Sequence, residues 1–268
     1  MSESAQFKVE HEAHIAWLTL NRPEKRNVMG ASFFKELAGH LEAFDRDPAV
    51  RVAVVKAEGK SFTAGTDLGE AASLLSGEGA DQRETTRMKI LALQAGLTAI
   101  EKCRKPVIAA VHSHCIGGGV DLISACDIRL ATADAVFSIR ETRMGIIADL
   151  GTLQRLPYII GQGWFRELAL TGRDFTAAEA LQMRLITRIC EDRAALYAEA
   201  KKLALQIAAC PPLTVQGVKD VILYSRDHGI EAGLNYVAQK NTAALPSEDV
   251  VEAVAAFMEK RPPKFKGK

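Results

Sequence analysis

Alternating apolar and polar positions divide the first hundred residues into predicted strands and helices. HIAWLTL (14–20) and VRVAVVKAEG (50–59) are rich in β-branched residues and end at turn signals, which is typical of strands, and a helical pattern over 32–45 separates them. The polar, small-residue stretch SLLSGEGADQRE (73–84) predicts a mobile loop, and a long helix is expected over 85–102. The order is therefore strand, helix, strand, loop, helix.

The middle of the chain carries two further apolar runs. PVIAAVHSHC (106–115) predicts a fully buried strand, and GGGVDLISACD (117–127) a short helix with glycines in its first turn. DIRLATADAVFSI (127–139) predicts another strand. Strand and helix continue to alternate, as in an α/β core.

From Gly151 onward the pattern is mainly helical. Glycine, proline or a threonine N-cap separates successive segments, and the last helix opens with a Ser-Glu-Asp cap. The predicted helices are LQRLPYIIG (153–161), WFRELALTG (164–172), TAAEALQM (176–183), 192–209, 212–225, 231–243 and 247–260. The pattern predicts an α/β core followed by an all-helical region.

Composition narrows the class of protein. The chain has 268 residues, is 48% hydrophobic, and balances 34 basic against 33 acidic residues, so no overall field attracts it to nucleic acid or an anionic membrane. It has no membrane-spanning apolar run or secretory signal, and it ends Lys-Gly-Lys, not Ser-Lys-Leu. Five cysteines without C-x-x-C spacing are expected to be reduced core residues. We expect a soluble, cytoplasmic protein.

Two glycine-containing turns, SFTAGTDL (61–68) and CIGGGVDL (115–122), each follow a predicted strand. Glycine permits a positive φ and a close backbone approach, and N–H groups at a helix start favour negative charge. Each turn can therefore bind an oxyanion, although a tight turn needed only for packing is an open alternative. Neither turn has the sequence of a phosphate loop or of a dinucleotide-binding motif.

Four segments together resemble the enoyl-CoA hydratase/isomerase, or crotonase, superfamily over about residues 14 to 190. They are NRPEKRNVM (21–29), SFTAGTDL, KPVIAAVHSHCIGGGVDLISACDIRLATADAVF (105–137) and GTLQRLPYIIG (151–161). Within the superfamily the chain is most similar to the dienoyl-CoA isomerase branch, which YSRDH (224–228) and LNYVA (234–238) also resemble.

The resemblance implies a fold, a substrate class and an assembly. The fold is a crotonase-like α/β spiral of ββα repeats over residues 1–195, followed by a C-terminal helical trimerisation region over 196–268. The substrate is an acyl-CoA thioester, with coenzyme A as part of the substrate and no separate cofactor or metal. A homotrimer or homohexamer is expected, without nucleic-acid or membrane partners.

The resemblance also implies the catalytic groups. The backbone amides of Thr66 and Gly118 would hold the thioester oxygen as charge develops on it. Hydratases of the superfamily use two glutamates, one in the GGGxE turn and one 20 residues later, to deliver water. Here these positions are Asp121 and Glu141, and Asp149 adds a third acid.

These three acids fit the isomerase pattern. Converting a 3,5-diene into a 2,4-diene needs a proton removed at C2 and one added at C6, which are too far apart for one compact carboxylate. We place Glu141 nearer C2 and Asp149 nearer C6, with Asp121 as a polarising or structural acid. From the residues alone, Asp121 and Asp149 could be helix caps and Glu141 could pair with a neighbouring arginine.

Other residues are assigned to binding or packing. His112 and His114 are expected to pack or hydrogen-bond, since no further metal ligand lies near them in sequence. Local positive charge and the first glycine turn would bind the coenzyme A portion. The predicted binding residues are Arg22, Lys25, Ala64, Thr66, Asp67, Leu68 and Lys260.

The sequence allows three alternatives to a dienoyl-CoA isomerase. One is an enoyl-CoA hydratase or another acyl-CoA isomerase on the same scaffold. The second is an enzyme that makes an unsaturated fatty-acid signal. The third is a non-catalytic RNA-binding or scaffolding member, against which the balanced charge and intact acids argue.

Overall fold

The computed structural model describes residues 6–72 and 79–268 of the chain. Strands and helices alternate as far as residue 208, and helices alone follow. The strands are β1 (Phe7–Glu12), β2 (Ile15–Leu20), β3 (Val52–Ala57), β4 (Val107–Val111), β5 (His114–Ile116), β6 (Ile128–Thr132), β7 (Val136–Ser138), β8 (Asp174–Thr176) and β9 (Arg188–Cys190). The helices are α1 (Ala31–Arg46), α2 (Leu68–Ala72), α3 (Ala80–Lys102), α4 (Gly118–Ala125), α5 (Thr152–Thr171), α6 (Ala177–Gln182), α7 (Arg193–Ala208), α8 (Pro212–His228), α9 (Ile230–Ala244) and α10 (Glu248–Glu259).

The strands form two sheets. The larger has the order β1-β2-β3-β4-β6-β9, in which only the β1–β2 pair is antiparallel. The smaller has the order β5-β7-β8, with β5 and β7 parallel. Every residue of β2 and of β4 is buried, as expected for strands of a parallel sheet that is covered on both faces.

Two consecutive ββα units build the middle of the molecule. The chain leaves β4 in the larger sheet, turns at Ser113, where φ is 51°, and enters β5 in the smaller sheet before α4. It then repeats this course through β6, β7 and α5. The α/β spiral with a helical C-terminal region is therefore confirmed. The single strands predicted over 106–115 and 127–139 are wrong, because each is two strands in different sheets.

Several predicted boundaries also change. Helix α3 begins at Ala80, so residues 80–84 are helical and not a loop, while residues 73–78 of the predicted loop lie outside the described part of the chain. The two helices predicted over 153–172 form α5, which Gly161 interrupts with φ 74° and ψ 163°. The predicted caps are confirmed, since Thr176 forms a capping box and Ser247 Oγ accepts the Val250 N–H.

The core lies on both faces of the larger sheet. On one face, α1, α3, α4 and α5 pack around a large apolar cluster, and on the other α7 covers the outer side chains of the strands. The predicted division between residues 195 and 196 falls inside α7. It stays a prediction.

Four of the cysteines are buried and Cys210 is exposed, and all five are free thiols. The expectation of core cysteines is therefore wrong for Cys210. None of the described helices is long and apolar enough to cross a bilayer.

Candidate active site

A cavity of about 1190 Å³ opens between α1 and α3 and reaches the first glycine-containing turn at Thr66 and Asp67. Its walls are mostly apolar, with Phe34, Ala92 and Leu93 among the lining residues. Glu141 and Asp149 also line it, as does Thr66 of the first turn. A mostly apolar cavity with carboxyl groups on its wall suits an acyl chain whose protons are moved.

Backbone pairing brings the two turns together. Thr63 N donates to His114 O over 3.0 Å, and Ile116 N donates to Thr63 O over 3.3 Å. A Cβ placed on Gly118 would lie 3.7 Å from the Thr66 nitrogen, and a Cβ placed on Gly65 would lie 3.7 Å from the Gly118 nitrogen. The two predicted amide donors are therefore neighbours.

Both of these N–H groups remain available to a ligand. Within residues 6–72 and 79–268, neither the Thr66 nor the Gly118 N–H donates a hydrogen bond to a protein acceptor. Gly118 is the first residue of α4, where an N–H lacks an intrahelical partner and negative charge is favoured. The arrangement can bind an oxygen that acquires negative charge.

Glu141 lies beside this pair of N–H groups. A Cβ on Gly117 would be 3.1 Å from Glu141 Oε1, so the carboxyl group is next to the second turn. Its Oε2 is buried without a hydrogen-bond partner among the described residues. Burial, with added repulsion from Asp121 and Asp149, raises the pKa of Glu141 to about 7. Such a carboxyl group can exchange a proton near neutral pH.

The salt-bridge alternative for Glu141 is wrong. Arg140 pairs with Asp174, and Arg143 Nε donates to Thr171 O over 3.1 Å. Both arginines are thus directed away from Glu141 toward the end of α5 and β8. Glu141 is left facing the cavity.

Asp149 is the second carboxyl group on the cavity wall. It precedes α5, whose N-cap residue is Gly151, so the alternative of a cap role at that helix is wrong for Asp149. Burial raises the pKa of its carboxyl group. Gln94 Nε2 donates to the backbone oxygen of Asp149 over 2.6 Å, which fixes the main chain at this position.

Asp121 differs from the other two acids because it does not line the cavity. It is 1% exposed on α4, and its Oδ1 accepts the Thr152 N–H over 2.6 Å at the start of α5. Burial raises the pKa of Asp121 to about 6, although the hydrogen bonds from Thr152 oppose this. Of the two roles predicted for it, the geometry favours the structural one.

Replacing Asp121 tests that role. Asp121→Asn keeps an oxygen that can accept the Thr152 N–H, whereas Asp121→Ala leaves this buried donor unpaired, at a cost of about 1–3 kcal/mol. We therefore expect the alanine variant to have the lower free energy of unfolding, measured by chemical denaturation. Equal losses in the two variants would contradict the hydrogen-bond explanation.

The predicted coenzyme A residues are only partly brought together. Thr66 and Asp67 line the cavity, Leu68 is 56% exposed at its rim, and the Ala64 N–H donates to Arg26 O over 2.9 Å. That bond places the first turn against the loop that contains Arg22 and Lys25. Lys260, in contrast, is the C-cap of α10 and does not line the cavity.

The prediction that His112 and His114 pack or hydrogen-bond is confirmed. His112 is buried and its Nε2 lies 3.2 Å from Gly59 O, whereas His114 is exposed beside Ser113. The two do not share the face of one strand, because Ser113 turns the chain between them. The sequence did not indicate three further residues around the acids. Gln94 donates to the backbone oxygen of Asp149, Thr152 donates to Asp121, and Arg155 donates to the backbone oxygen of Leu150, the residue after Asp149.

The fold and the site define a class: an α/β spiral enzyme with two carboxyl groups on one cavity wall and, beside one of them, a pair of backbone N–H groups that have no acceptor within the described residues. The family model described as enoyl-CoA hydratase/isomerase matches residues 10–268. The chain belongs to this family.

Curated relatives and solved structures agree with that assignment. The chain is 44% identical to the mitochondrial Delta(3,5)-Delta(2,4)-dienoyl-CoA isomerase of Dictyostelium discoideum, over 94% of this chain and 87% of that protein. It is 45% identical to the peroxisomal protein of the same name from Arabidopsis thaliana, over 95% and 93% respectively. The crystal structure of an enoyl-CoA hydratase from Bacillus anthracis superposes with a TM-score of 0.91 at 30% identity, covering 98% of this chain and all of that one.

Proposed function

We propose that this chain is a Δ3,5-Δ2,4-dienoyl-CoA isomerase, an enzyme that moves a proton between C2 and C6 of an acyl-CoA diene in the β-oxidation of unsaturated fatty acids. The observation that carries the proposal is the pair of carboxyl groups, Glu141 and Asp149, on the wall of one apolar cavity, while Asp121 is buried outside it. The relatives named as isomerases of this kind support the same conclusion.

The geometry supports the following proposed steps. The thioester oxygen accepts the N–H groups of Thr66 and Gly118, which stabilise the negative charge that forms when a proton leaves C2. In the proposed reaction Glu141 takes that proton, and its position beside Gly117 supports this role. The electron pair of the C2–H bond shifts the double bonds along the chain, and Asp149 donates a proton at C6. The product is the conjugated 2,4-diene, and the two carboxyl groups have exchanged protonation states.

The main alternative is an enoyl-CoA hydratase. In such enzymes two glutamates deliver water, and the first of these positions is occupied here by Asp121. Its Oδ1 is engaged by the Thr152 N–H, and the residue is absent from the cavity wall. A water molecule held between two cavity carboxylates at those positions is therefore not available, which favours the isomerase.

The test compares two substrates with the purified enzyme. With 3,5-octadienoyl-CoA we expect the ultraviolet absorbance of the conjugated 2,4-diene to appear. With crotonyl-CoA we expect little loss of the enoyl absorbance. Efficient hydration of crotonyl-CoA with an untouched diene would refute the isomerase. Tight, salt-dependent RNA binding without turnover would instead favour the non-catalytic alternative.

Activity should depend on pH through the ionisation of Glu141. A general base must be unprotonated, so kcat/KM should fall as the pH decreases through about 7, the raised pKa of this carboxyl group. The profile is obtained by measuring the initial rate of diene formation at pH values below and above about 7. A Glu141→Gln variant should lose both the rate and this limb of the profile. A wild-type profile that is flat through pH 7 would contradict the assigned role.

Coenzyme A recognition is proposed for the loop and turn beside the cavity mouth. Arg22 and Lys25 offer positive charge to the phosphates, and Ala64, Thr66, Asp67 and Leu68 border the path of the pantetheine arm. Lys260 remains a prediction, because α10 places it away from the cavity lining. The prediction of no cofactor and no metal likewise remains a prediction.

A trimer, or a hexamer of two trimers, is the proposed assembly. The C-terminal helices expose apolar side chains that core packing does not explain, with Val251 69%, Phe257 82% and Met258 76% exposed. We expect light scattering at micromolar concentration to give the trimer or hexamer mass, and Phe257→Glu to reduce it. A monomeric wild-type protein would contradict the proposal. Cytoplasmic residence stays a prediction, since the relatives named above are mitochondrial or peroxisomal.

A further inference from the structure

The short segment that carries Asp149 is held by side chains from three helices. Gln94 of α3 donates to Asp149 O over 2.6 Å, and Arg155 of α5 donates to Leu150 O over 3.3 Å. Asp121 of α4 accepts the Thr152 N–H over 2.6 Å. Three polar backbone groups within four residues thus have side-chain partners, so the position of the Asp149 carboxyl group depends on these partners.

Gly151 makes the arrangement of Arg155 possible. Its φ of 125° is in the region that favours glycine, and a Cβ at this position would lie 1.7 Å from Arg155 Nη1. The guanidinium group therefore packs directly over the glycine backbone. From there it reaches both Leu150 O and Thr98 Oγ1, the latter over 3.1 Å.

Arg155 is in turn held by an ion pair. Its Nε lies 2.9 Å from Glu101 Oε2, and the two side chains are only 11% and 14% exposed. The Nε–H is not aligned for a hydrogen bond, so the contact is ionic. The other oxygen, Glu101 Oε1, accepts from Arg226 Nη1 over 2.5 Å. Breaking one member of a buried charge pair leaves the other uncompensated, so the three residues are expected to act together.

Arg226 belongs to YSRDH (224–228), one of the two stretches that resemble the dienoyl-CoA isomerase branch. Tyr224 stacks on Tyr236 of the other stretch, LNYVA, with ring centroids 4.1 Å apart. Tyr236 also donates its hydroxyl to Asp220 Oδ2 over 2.8 Å. The two stretches therefore contact each other across α8 and α9, and they fix the part of α8 from which Arg226 extends.

We propose that Gln94 and Arg155 are positioning residues for Asp149, and that Arg226 acts on the same segment through Glu101 and Arg155. This inference rests on the proposed function, because it assigns the proton transfer at C6 to Asp149. Proton transfer is sensitive to small displacements of the donor, and a misplacement of about 1 Å can cost about 100-fold in rate. The C-terminal helices would then determine how well the second half of the reaction proceeds.

The decisive measurement is a ratio of two rates. When C6 protonation is slow, the dienolate persists long enough for the Glu141 carboxyl group to exchange its proton with D2O, and return of this deuterium to C2 labels the recovered substrate. We expect Gln94→Met to lower diene formation about 10- to 100-fold and to raise the ratio of C2 exchange to diene formation about tenfold. The ratio does not depend on the fraction of folded enzyme. Gln206→Met, at an exposed site on α7, is the matched control and should leave both rates unchanged.

Substitutions of Arg226 test the contribution of α8. Arg226→Gln should change the ratio in the same direction as Gln94→Met, and Arg226→Lys should restore part of the difference, since a lysine can still pair with Glu101. If Gln94→Met fails to fold, Gln94→Glu removes the same donor at constant size. An unchanged ratio in the folded Gln94 variant overturns the positioning role, and an unchanged ratio in Arg226→Gln overturns the role of α8. Wild-type enzyme without diene formation would refute the proposed function itself.

Discussion

An Asp149→Asn variant is expected to form the conjugated 2,4-diene with a kcat about 10²- to 10⁴-fold lower than that of the wild type. Asparagine matches aspartate in size but cannot donate a carboxyl proton to C6. The backbone bond between Gln94 and Asp149 O does not involve the replaced group, so the segment should keep its place. The measurement is the initial rate of diene absorbance with 3,5-octadienoyl-CoA at saturation.

Two comparisons isolate the carboxyl group. Asp81→Asn, at an exposed position in the first turn of α3, makes the same chemical change away from the cavity and should leave kcat unchanged. Asp149→Asn should also keep its thermal midpoint, which excludes unfolding as the cause of a lost rate. Turnover within fivefold of the wild type would remove Asp149 from the reaction, and the isomerase would lose the acid on which its C6 step depends.

The three acids show which features of the site the sequence alone can predict and which it cannot. The resemblance identified Asp121, Glu141 and Asp149, and the spacing of 20 and then 8 residues is visible in the chain. It could not decide which acids face the substrate, because that depends on where α4 and α5 meet. The bond between Asp121 and Thr152 crosses 31 residues and takes Asp121 out of the cavity.

The smaller sheet shows a different limit. Strands β5 and β7 have three residues each, which is too short for an alternating pattern to separate them from the longer strands β4 and β6 before them. The prediction therefore merged β4 with β5 and β6 with β7. The change of sheet at the first junction depends on a positive φ at Ser113, a conformation that a serine in the sequence does not signal.

Polar contacts between distant segments are the feature that the sequence predicts least well. Gln94 has no motif around it, and its partner lies 55 residues away. The stretches YSRDH and LNYVA resemble the dienoyl-CoA isomerase branch, but the sequence gives no physical explanation of that resemblance. In the structure their tyrosines stack on each other, and the ion pair from Arg226 to Glu101 connects YSRDH to α3. These contacts could not be predicted from the sequence, because they join residues of three separate helices, α3, α5 and α8.

The second large effect is expected at the pair of backbone donors. In Gly118→Ala the new Cβ would lie 2.9 Å from both Thr66 Cγ2 and Met29 Cε, which is too close without movement. The methyl group of Met29 can rotate away because it ends a long, flexible side chain. The Thr66 side chain is short, so moving its Cγ2 away also shifts the Thr66 backbone. The N–H groups of Thr66 and Gly118 should then separate, and we expect kcat to fall about 10²- to 10³-fold, the effect of losing one oxyanion donor.

A second substitution decides whether crowding is the cause. Thr66→Ser removes the Cγ2 methyl group, so the double variant Gly118→Ala/Thr66→Ser should recover a large part of the lost kcat while both backbone N–H groups are retained. Gly39→Ala in α1 is the matched control, because a Cβ there meets nothing within 4 Å, and it should leave kcat unchanged and add about 0.5–1 kcal/mol of stability. Full activity in Gly118→Ala would contradict the assignment of the thioester oxygen to these two amides, since the added Cβ crowds Thr66 Cγ2 in the wild-type arrangement.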